Sequence, residues 1–233
     1  MNKKFEQTMI QEYSSEKIAL AKKMISSDAF YIIVCDALAR KQPLSVVRMN
    51  DGERMIMEVS KGKVPSHFLT DDNWLKEYGL FRADLVKVGE DLFTAANTAD
   101  YFAQFISGFF LPNFDVISLI NPREIYVDGF YPYLWKNMNR QKELLKYNEG
   151  IAVVCRNSKK VAENLSAKYG ANIISIEYDS WKDYPNALEQ IGKSNARLIL
   201  CSTGASGKLL NVEASKKYGK VCIDTGSAMM ATW

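Results

Sequence analysis

Short apolar runs rich in valine, isoleucine and leucine recur along this chain. Between them apolar residues return every third or fourth position, the spacing of a helix with one buried face. From residue 150 onward the alternation is regular: GIAVVC, SKKVAENLSAKYG, ANIISIEY, YPNALEQIGK, ARLILC, SGKLLNVEASKKYG and KVCID follow one another. Two of the helical stretches stop at Gly170 and Gly219, the residue type that most readily takes the left-handed conformation of a helix C-terminus. Strands that alternate with helices predict parallel pairing through right-handed crossovers. Ligands of such sheets gather outside the carboxyl ends of the strands, which nominates the loops after Val47, Cys155, Cys201 and Ile223.

Upstream the pattern is more helical. Residues 4–40 carry apolar positions at three and four spacing (Ile18, Leu20, Ala21, Met24) and no proline before Pro43, with Ser27 or Asp28 placed to start a second helix towards Arg40. LSVVRM then reads as a strand ending at an Asp-Gly turn. Residues 71–110 are again helix-rich, with Asp71 or Asp72 as a cap. Within them DYFAQFISGFF reads as core or as a partner-facing surface, with an aromatic platform for an acceptor as the alternative. REIYV (123–127) predicts a strand, and the stretch after Pro132 a helix.

The expected fold class is therefore α/β: a Rossmann-like, mostly parallel sheet flanked by helices, with an N-terminal helical extension. One domain over 1–233 is expected, divided into the extension (1–42), a half carrying the first motif (43–149) and a Rossmann-like βα half (150–233). A length of 233 residues is enough for a substantial core.

Composition narrows the function classes. A net charge of +3, without an arginine-rich or aromatic-interleaved basic run, gives no case for nucleic acid. The 47% hydrophobic content is spread in runs too short to span a membrane, and MNKKFEQTMIQEYSSEK lacks a secretory apolar core. The four cysteines are far apart; Cys155, Cys201 and Cys222 each end an apolar run, where a thiol serves as a small buried hydrophobe. A cytoplasmic protein is expected, with peripheral attachment at the inner membrane surface and homo-oligomerisation both left open.

Four strand-to-helix junctions carry candidate chemistry. In SVVRMNDGE (45–53), Asp51 and Glu53 flank a glycine that would let the backbone turn sharply, so that both carboxylates meet one oxygen-preferring cation such as Mn²⁺ or Mg²⁺. Arg48 offers forked donors to a phosphate. The competing reading is a solvated Asp-Gly turn with Glu53 opening a helix. CSTGASGK (201–208) places Thr203, Gly204, Ser206 and Lys208 where a phosphate can sit on a helix N-terminus, or where serine and glycine merely cap it; it is neither a Walker A motif nor GxGxxG. In CRNSKK (155–160), Ser158 is a cap, and Arg156 and Asn157 can face a ligand. In DTGSAMM (224–230), Asp224 stands either as a catalytic or ribose-binding carboxylate or as a turn former. The one histidine, His67, lies away from these strand ends, which weakens a Ser-His-Asp or Cys-His scheme.

SVVRMNDGE resembles the Ser-Val-Val-Arg-Phe-Gly-Asp-Gly-Glu signature of the GT-D fold glycosyltransferases. The likeness runs over residues 43–228, through the junctions at Arg156–Ser158 and Ser202–Ser206 and the segment KKYGKVCIDTGSA. The resemblance implies a metal-dependent transferase that takes a sugar from a nucleotide-sugar donor, usually UDP-linked, to a glycan, glycoprotein or lipid-linked acceptor. Asp51 and Glu53 become its metal ligands, with Arg48, Asn50, Asp51, Arg156, Ser158, Thr203, Gly204, Ser206 and Lys208 as donor-site residues and Glu53 and Asp224 as catalytic candidates. Departures exist: Met49-Asn50 replaces Phe-Gly, and Ser227 stands where many members carry histidine followed by an acidic, aromatic segment. The acceptor-activating base is thereby left unassigned. Two rivals follow, a non-catalytic nucleotide-sugar-binding subunit of a glycan-assembly complex and a Rossmann-type sugar-phosphate isomerase.

Overall fold

The computed structural model describes residues 15–106, 115–147, 149–231 and 233. Among these, eight strands form one sheet: β1 (Met24–Ile25), β2 (Leu44–Met49), β3 (Tyr101–Gln104), β4 (Tyr126–Asp128), β5 (Ile151–Cys155), β6 (Ile173–Glu177), β7 (Leu198–Ser202) and β8 (Val221–Asp224). Their spatial order is β1-β4-β3-β2-β8-β7-β5-β6, and every pairing is parallel. All carboxyl ends therefore open on one edge of the sheet. The halves before and after residue 150 join where β2 pairs with β8, Leu44 facing Val221 and Val46 facing Ile223.

Alternation along the strands explains why the sheet is covered on both faces. On β2, Val46 packs with Phe30 and Val34 of α2 (Ser27–Ala39), whereas Val47 turns to the opposite face with Ile56 of α3 (Asp51–Ser60) and Val88 of α5 (Leu85–Thr98). On β5, Val153 points to the α2 face and Ala152 and Val154 away from it, towards Ala187 and Ile191 of α9 (Tyr184–Lys193). The α2 face also holds α6 (Tyr131–Asn137), α7 (Arg140–Leu144) and α8 (Ser158–Tyr169). Helix α10 (Lys208–Tyr218) crosses behind the β2–β8 seam, and Asn211 there donates to the Val46 carbonyl at 3.2 Å. The remaining helices are α1 (Ser15–Ala21), α4 (Asp72–Glu77) and α11 (Ser227–Ala231).

The βα half follows the sequence pattern closely, with Gly170 and Gly219 in the left-handed conformation at the ends of α8 and α10. The upstream half departs from it. Residues 24–25 pair as β1 beside β4, so the segment before residue 43 contributes to the sheet and is not only a helical extension. Tyr101–Gln104 lies in a stretch expected to be helix-rich but is strand β3, and its Phe102 and Ala103 are core, as one of the sequence readings has it; aromatic residues suit strands as well as helices, and four residues are too few for a period to show. The strand in REIYV starts later, at Tyr126. The helix after Pro132 is two helices, broken at Asn139 in the left-handed conformation (φ 59°). Residues 4–14 and 107–114, parts of two sequence expectations, lie outside the described residues.

The cysteines are free, and Cys155, Cys201 and Cys222 are buried. Burial pushes the Cys155 thiol up to about 12, so it is no nucleophile at neutral pH. Among the described residues no helix is long and apolar enough to cross a membrane.

Candidate active site

At the carboxyl edge of the sheet a cleft of about 470 Å³ opens over β2, β3, β4, β7 and β8. Its polar part is formed by Asn50, Glu53, Ser202, Gly204 and Lys208, and its aromatic part by Phe105, Phe130 and Tyr133, with Arg48 between them. A smaller annex, sharing Tyr78, Ser202 and Gly204 with the cleft, continues over the ends of β5 and β6 to Arg156, Tyr178, Asp179 and Thr203.

The polar part is built around Lys208. Its Nζ donates to Asp224 Oδ2 at 2.6 Å and lies 3.4 Å from Glu53 Oε1. Burial presses this ammonium towards neutrality, but Asp224 and Glu53 outweigh it and hold the Lys208 pKa above the ordinary lysine value. Asp224 is itself buried and fully engaged. Oδ2 also accepts the Arg48 amide (2.9 Å), Oδ1 accepts the Gly226 amide (3.1 Å), and the backbone carbonyl accepts the Tyr131 hydroxyl (2.5 Å). It does not reach the cleft wall. Its chemistry here is to fix Lys208 and the end of β2.

Arg48 is equally fixed. Nε donates to the Gly129 carbonyl and Nη1 to the Thr225 carbonyl, both at 2.9 Å, so the side chain staples the ends of β2, β4 and β8 together. Gly226 (φ 53°) makes room for it, since a Cβ there would overlap Nη1. The guanidinium lies 5.2 Å from the Phe105 ring centroid.

The Asp-Gly-Glu stretch does not form a sharp turn. Asn50 is the N-cap residue of α3, and Asp51, Gly52 and Glu53 form the first helical turn. Two residues apart on a helix, the carboxylates of Asp51 and Glu53 project about 200° from each other around the axis. Glu53 turns inward, with Oε2 accepting the Asn50 amide at 3.0 Å and Oε1 facing Lys208. Asp51 is exposed and lines neither cavity. As arranged, the pair does not fit one shared divalent cation; an ammonium stands where Glu53 and Asp224 converge. Among the described residues no group of three or more His, Cys, Asp or Glu side chains is gathered for a metal.

The other sequence candidates divide clearly. Gly204 lines both cavities, and Arg156 and Thr203 line the annex. Ser206 is buried behind them; its hydroxyl donates to the Thr203 carbonyl at 3.4 Å. Ser158 is buried and does not cap α8. Glu177 does so, accepting the amides of Asn157 (2.5 Å) and Ser158 (2.9 Å) and the Ser158 hydroxyl (2.8 Å). That helix N-terminus is already occupied by a carboxylate. His67 sits against Phe68, outside the cleft. Sequence reasoning missed Tyr78, Phe130, Tyr133 and Asp179 as lining residues, whereas Phe105 falls in DYFAQFISGFF, where an aromatic platform is the alternative reading. Phe105 directly follows β3 and Phe130 comes two residues after the end of β4, so a strand boundary at Gln104 brings Phe105 under the carboxyl-end rule.

A family model described as a GT-D fold-like domain matches residues 25–232 of the chain, nearly its whole length. The chain belongs to the GT-D-like family. No match was found among curated proteins or among solved structures. In this GT-D-like protein the matched region holds every residue of the cleft and annex. Among the described residues that line the cleft, Glu53 is the one carboxylate and Lys208 and Arg48 are the cations. Such a set can hold an anionic ligand against the lysine, and can accept one proton on the glutamate.

Proposed function

We propose that this GT-D-like protein is a glycosyltransferase that moves a sugar from a nucleotide-sugar donor, UDP-linked by family likeness, to a glycan, glycoprotein or lipid-linked acceptor. The observation that carries the reading is the convergence of Lys208, Glu53 and Arg48 in one cleft at the carboxyl ends of β2, β7 and β8. A cleft at this edge is where open parallel sheets bind nucleotides.

In the proposed reaction an acceptor hydroxyl oxygen bonds to the anomeric carbon of the donor. The bond from that carbon to the diphosphate breaks, and the diphosphate leaves with the electron pair. Its developing negative charge falls beside the Lys208 ammonium, which Asp224 holds protonated and in place, and this favours the transition state over the ground state. Glu53 takes the acceptor proton, since it is the carboxylate on the cleft wall. The proposal contains no step through Mn²⁺ or Mg²⁺, because Asp51 and Glu53 diverge around the first turn of α3. A lipid-linked acceptor would bring the protein to the cytoplasmic surface of a membrane.

The test is release of nucleoside diphosphate from a panel of nucleotide sugars, with and without saccharide acceptors, followed by mass spectrometry of the acceptor. Acceptor-dependent release that Glu53→Gln abolishes supports the reading. Binding of a donor with no transfer to any acceptor would favour the non-catalytic subunit instead.

A further inference from the structure

The cleft and its annex differ in chemistry from one end to the other, and the sheet topology explains why there are two sites. The chain steps outward from β5 to β6, then returns to the other side of β5 for β7, so the connections diverge at the β5–β7 boundary. A second boundary lies at β2–β8, where the two halves of the sheet meet and the chain leaves β2 towards β3 but enters β8 from β7. Crevices form at such points. The main cleft covers the second, and the annex lies over the first.

The annex is a poor place for phosphate. The amides of Asn157 and Ser158 that open α8, next to Arg156 in the chain, are taken by Glu177, and Asp179 sets a half-exposed carboxylate in the annex wall, held on one oxygen by Arg156 Nε at 3.2 Å. A carboxylate repels phosphate but accepts hydrogen bonds from a neutral diol. Beside it stands Tyr78, 46% exposed and stacked on Trp74 with ring centroids 4.2 Å apart. The wall is firmly built. Gly79 packs against the Asp179 backbone so closely that a Cβ would overlap it, Trp181 N donates to the Gly79 carbonyl at 3.2 Å, and Arg156 also reaches the Lys76 carbonyl at 3.4 Å.

The opposite end of the cleft has a different character. Gly129 brings the chain after β4 so near β3 that a Cβ would lie 2.7 Å from the Phe105 amide nitrogen. That approach sets Phe130 edge-on to Phe105 with centroids 4.6 Å apart. Tyr133 and Ser227 add hydroxyls 2.9 Å from each other. Aromatic faces with hydroxyl donors suit the C–H face and rim of a neutral pyranose.

We propose that the donor lies across the strand ends in one direction: its nucleoside in the annex with the base on Tyr78 and the ribose diol on Asp179, its diphosphate at Lys208 and Gly204, and its sugar against Phe105 and Phe130. This orientation rests on the nucleotide-sugar reading and adds to it the assignment of the two ends. The ring of Tyr78 gives the base a face to stack on; Asp179 lines only the annex, and Lys208, the cation for the phosphates, lines only the cleft.

The experiment is isothermal titration of the full chain with UDP, GDP, CDP, ADP and dTDP, and then with the hexose conjugates of whichever binds. Tyr78→Ala is expected to weaken the bare diphosphate and its conjugate alike, by about tenfold, while Tyr78→Phe retains the affinity and shows that the fold is kept. Asp179→Asn is expected to erase a preference for the ribonucleotide over its 2′-deoxy form. Phe130→Ala is expected to weaken the conjugate more than the bare diphosphate. The opposite pattern, with Phe130→Ala the more damaging to the bare diphosphate, overturns the orientation and leaves the function standing. Unchanged affinities in both alanine variants overturn it too. A wild-type chain that binds none of the nucleotides removes the nucleotide-sugar reading and the orientation together.

Discussion

Lys208 and Asp224 form a buried ion pair, Nζ to Oδ2 2.6 Å, that joins the first residue of α10 to the last residue of β8. The pair sits immediately behind the cleft, and only the lysine lines the cleft. Breaking it from one side leaves an uncompensated buried charge. Lys208→Met should therefore destabilise the fold by about 3–5 kcal/mol, and the double variant Lys208→Met with Asp224→Asn should recover much of that loss. Urea unfolding of the four proteins measures this, and simple additivity would contradict it.

The same pair sets an alkaline limit. The folded-state pKa of Lys208 is raised, so its contribution is fully present below the unfolded lysine value of about 10.4 and is lost as pH rises through the folded value. Tyr131, whose pKa burial also raises, acts in the same direction. Thermal unfolding should be insensitive to the pair up to about pH 9. Above that the wild type should lose more stability than the double variant.

Gly226 is required twice over, by its φ of 53° and by the Arg48 Nη1 that fills the space of a side chain. Gly226→Ala should cost of order 1–3 kcal/mol and release Arg48 from the Thr225 carbonyl. A melting temperature equal to that of the wild type would show that the staple is slack.

Asp51 and Glu53 should behave differently although they are two residues apart. Asp51→Ala should cost only the favourable interaction of a carboxylate with the α3 N-terminus, about 0.3–1 kcal/mol, and leave transfer intact. Glu53→Gln should lower transfer by about 10²–10⁴-fold. Chelation by EDTA should leave nucleoside diphosphate affinity within about twofold, or ~0.4 kcal/mol. Equal losses in Asp51→Ala and Glu53→Gln, together with loss of binding on chelation, would establish the shared cation that the first turn of α3 argues against.

The sequence was legible where the local pattern and the tertiary structure agree. GIAVVC to KVCID alternates cleanly because β5, β7 and β8 are covered on both faces and their helices end at glycines, so strand ends and the Ser202–Lys208 junction follow directly. SVVRM reads as a strand for the same reason, since β2 is buried along its whole length. The first turn of α3 was not: Asp-Gly suggests a turn, and only the Glu53 carboxylate folding back on the Asn50 amide shows that the helix begins at once. Asp224 looked catalytic because it ends a strand, a position that cannot distinguish a side chain aimed at the cleft from one buried against Lys208. Of the aromatic wall, Phe105 falls in the stretch that offers an aromatic platform, whereas Phe130 and Tyr133 are hidden by the brevity of β4, and the annex by contacts between the Tyr78 and Asp179 segments, about a hundred residues apart.

The central claim is tested most directly by measuring acceptor-dependent release of nucleoside diphosphate from a nucleotide sugar by the wild-type chain beside Glu53→Gln and Lys208→Met. The account predicts release and a glycosylated product with the wild type, loss of transfer with donor binding kept in Glu53→Gln, and loss of both in Lys208→Met. Transfer at wild-type rates by either variant would contradict it.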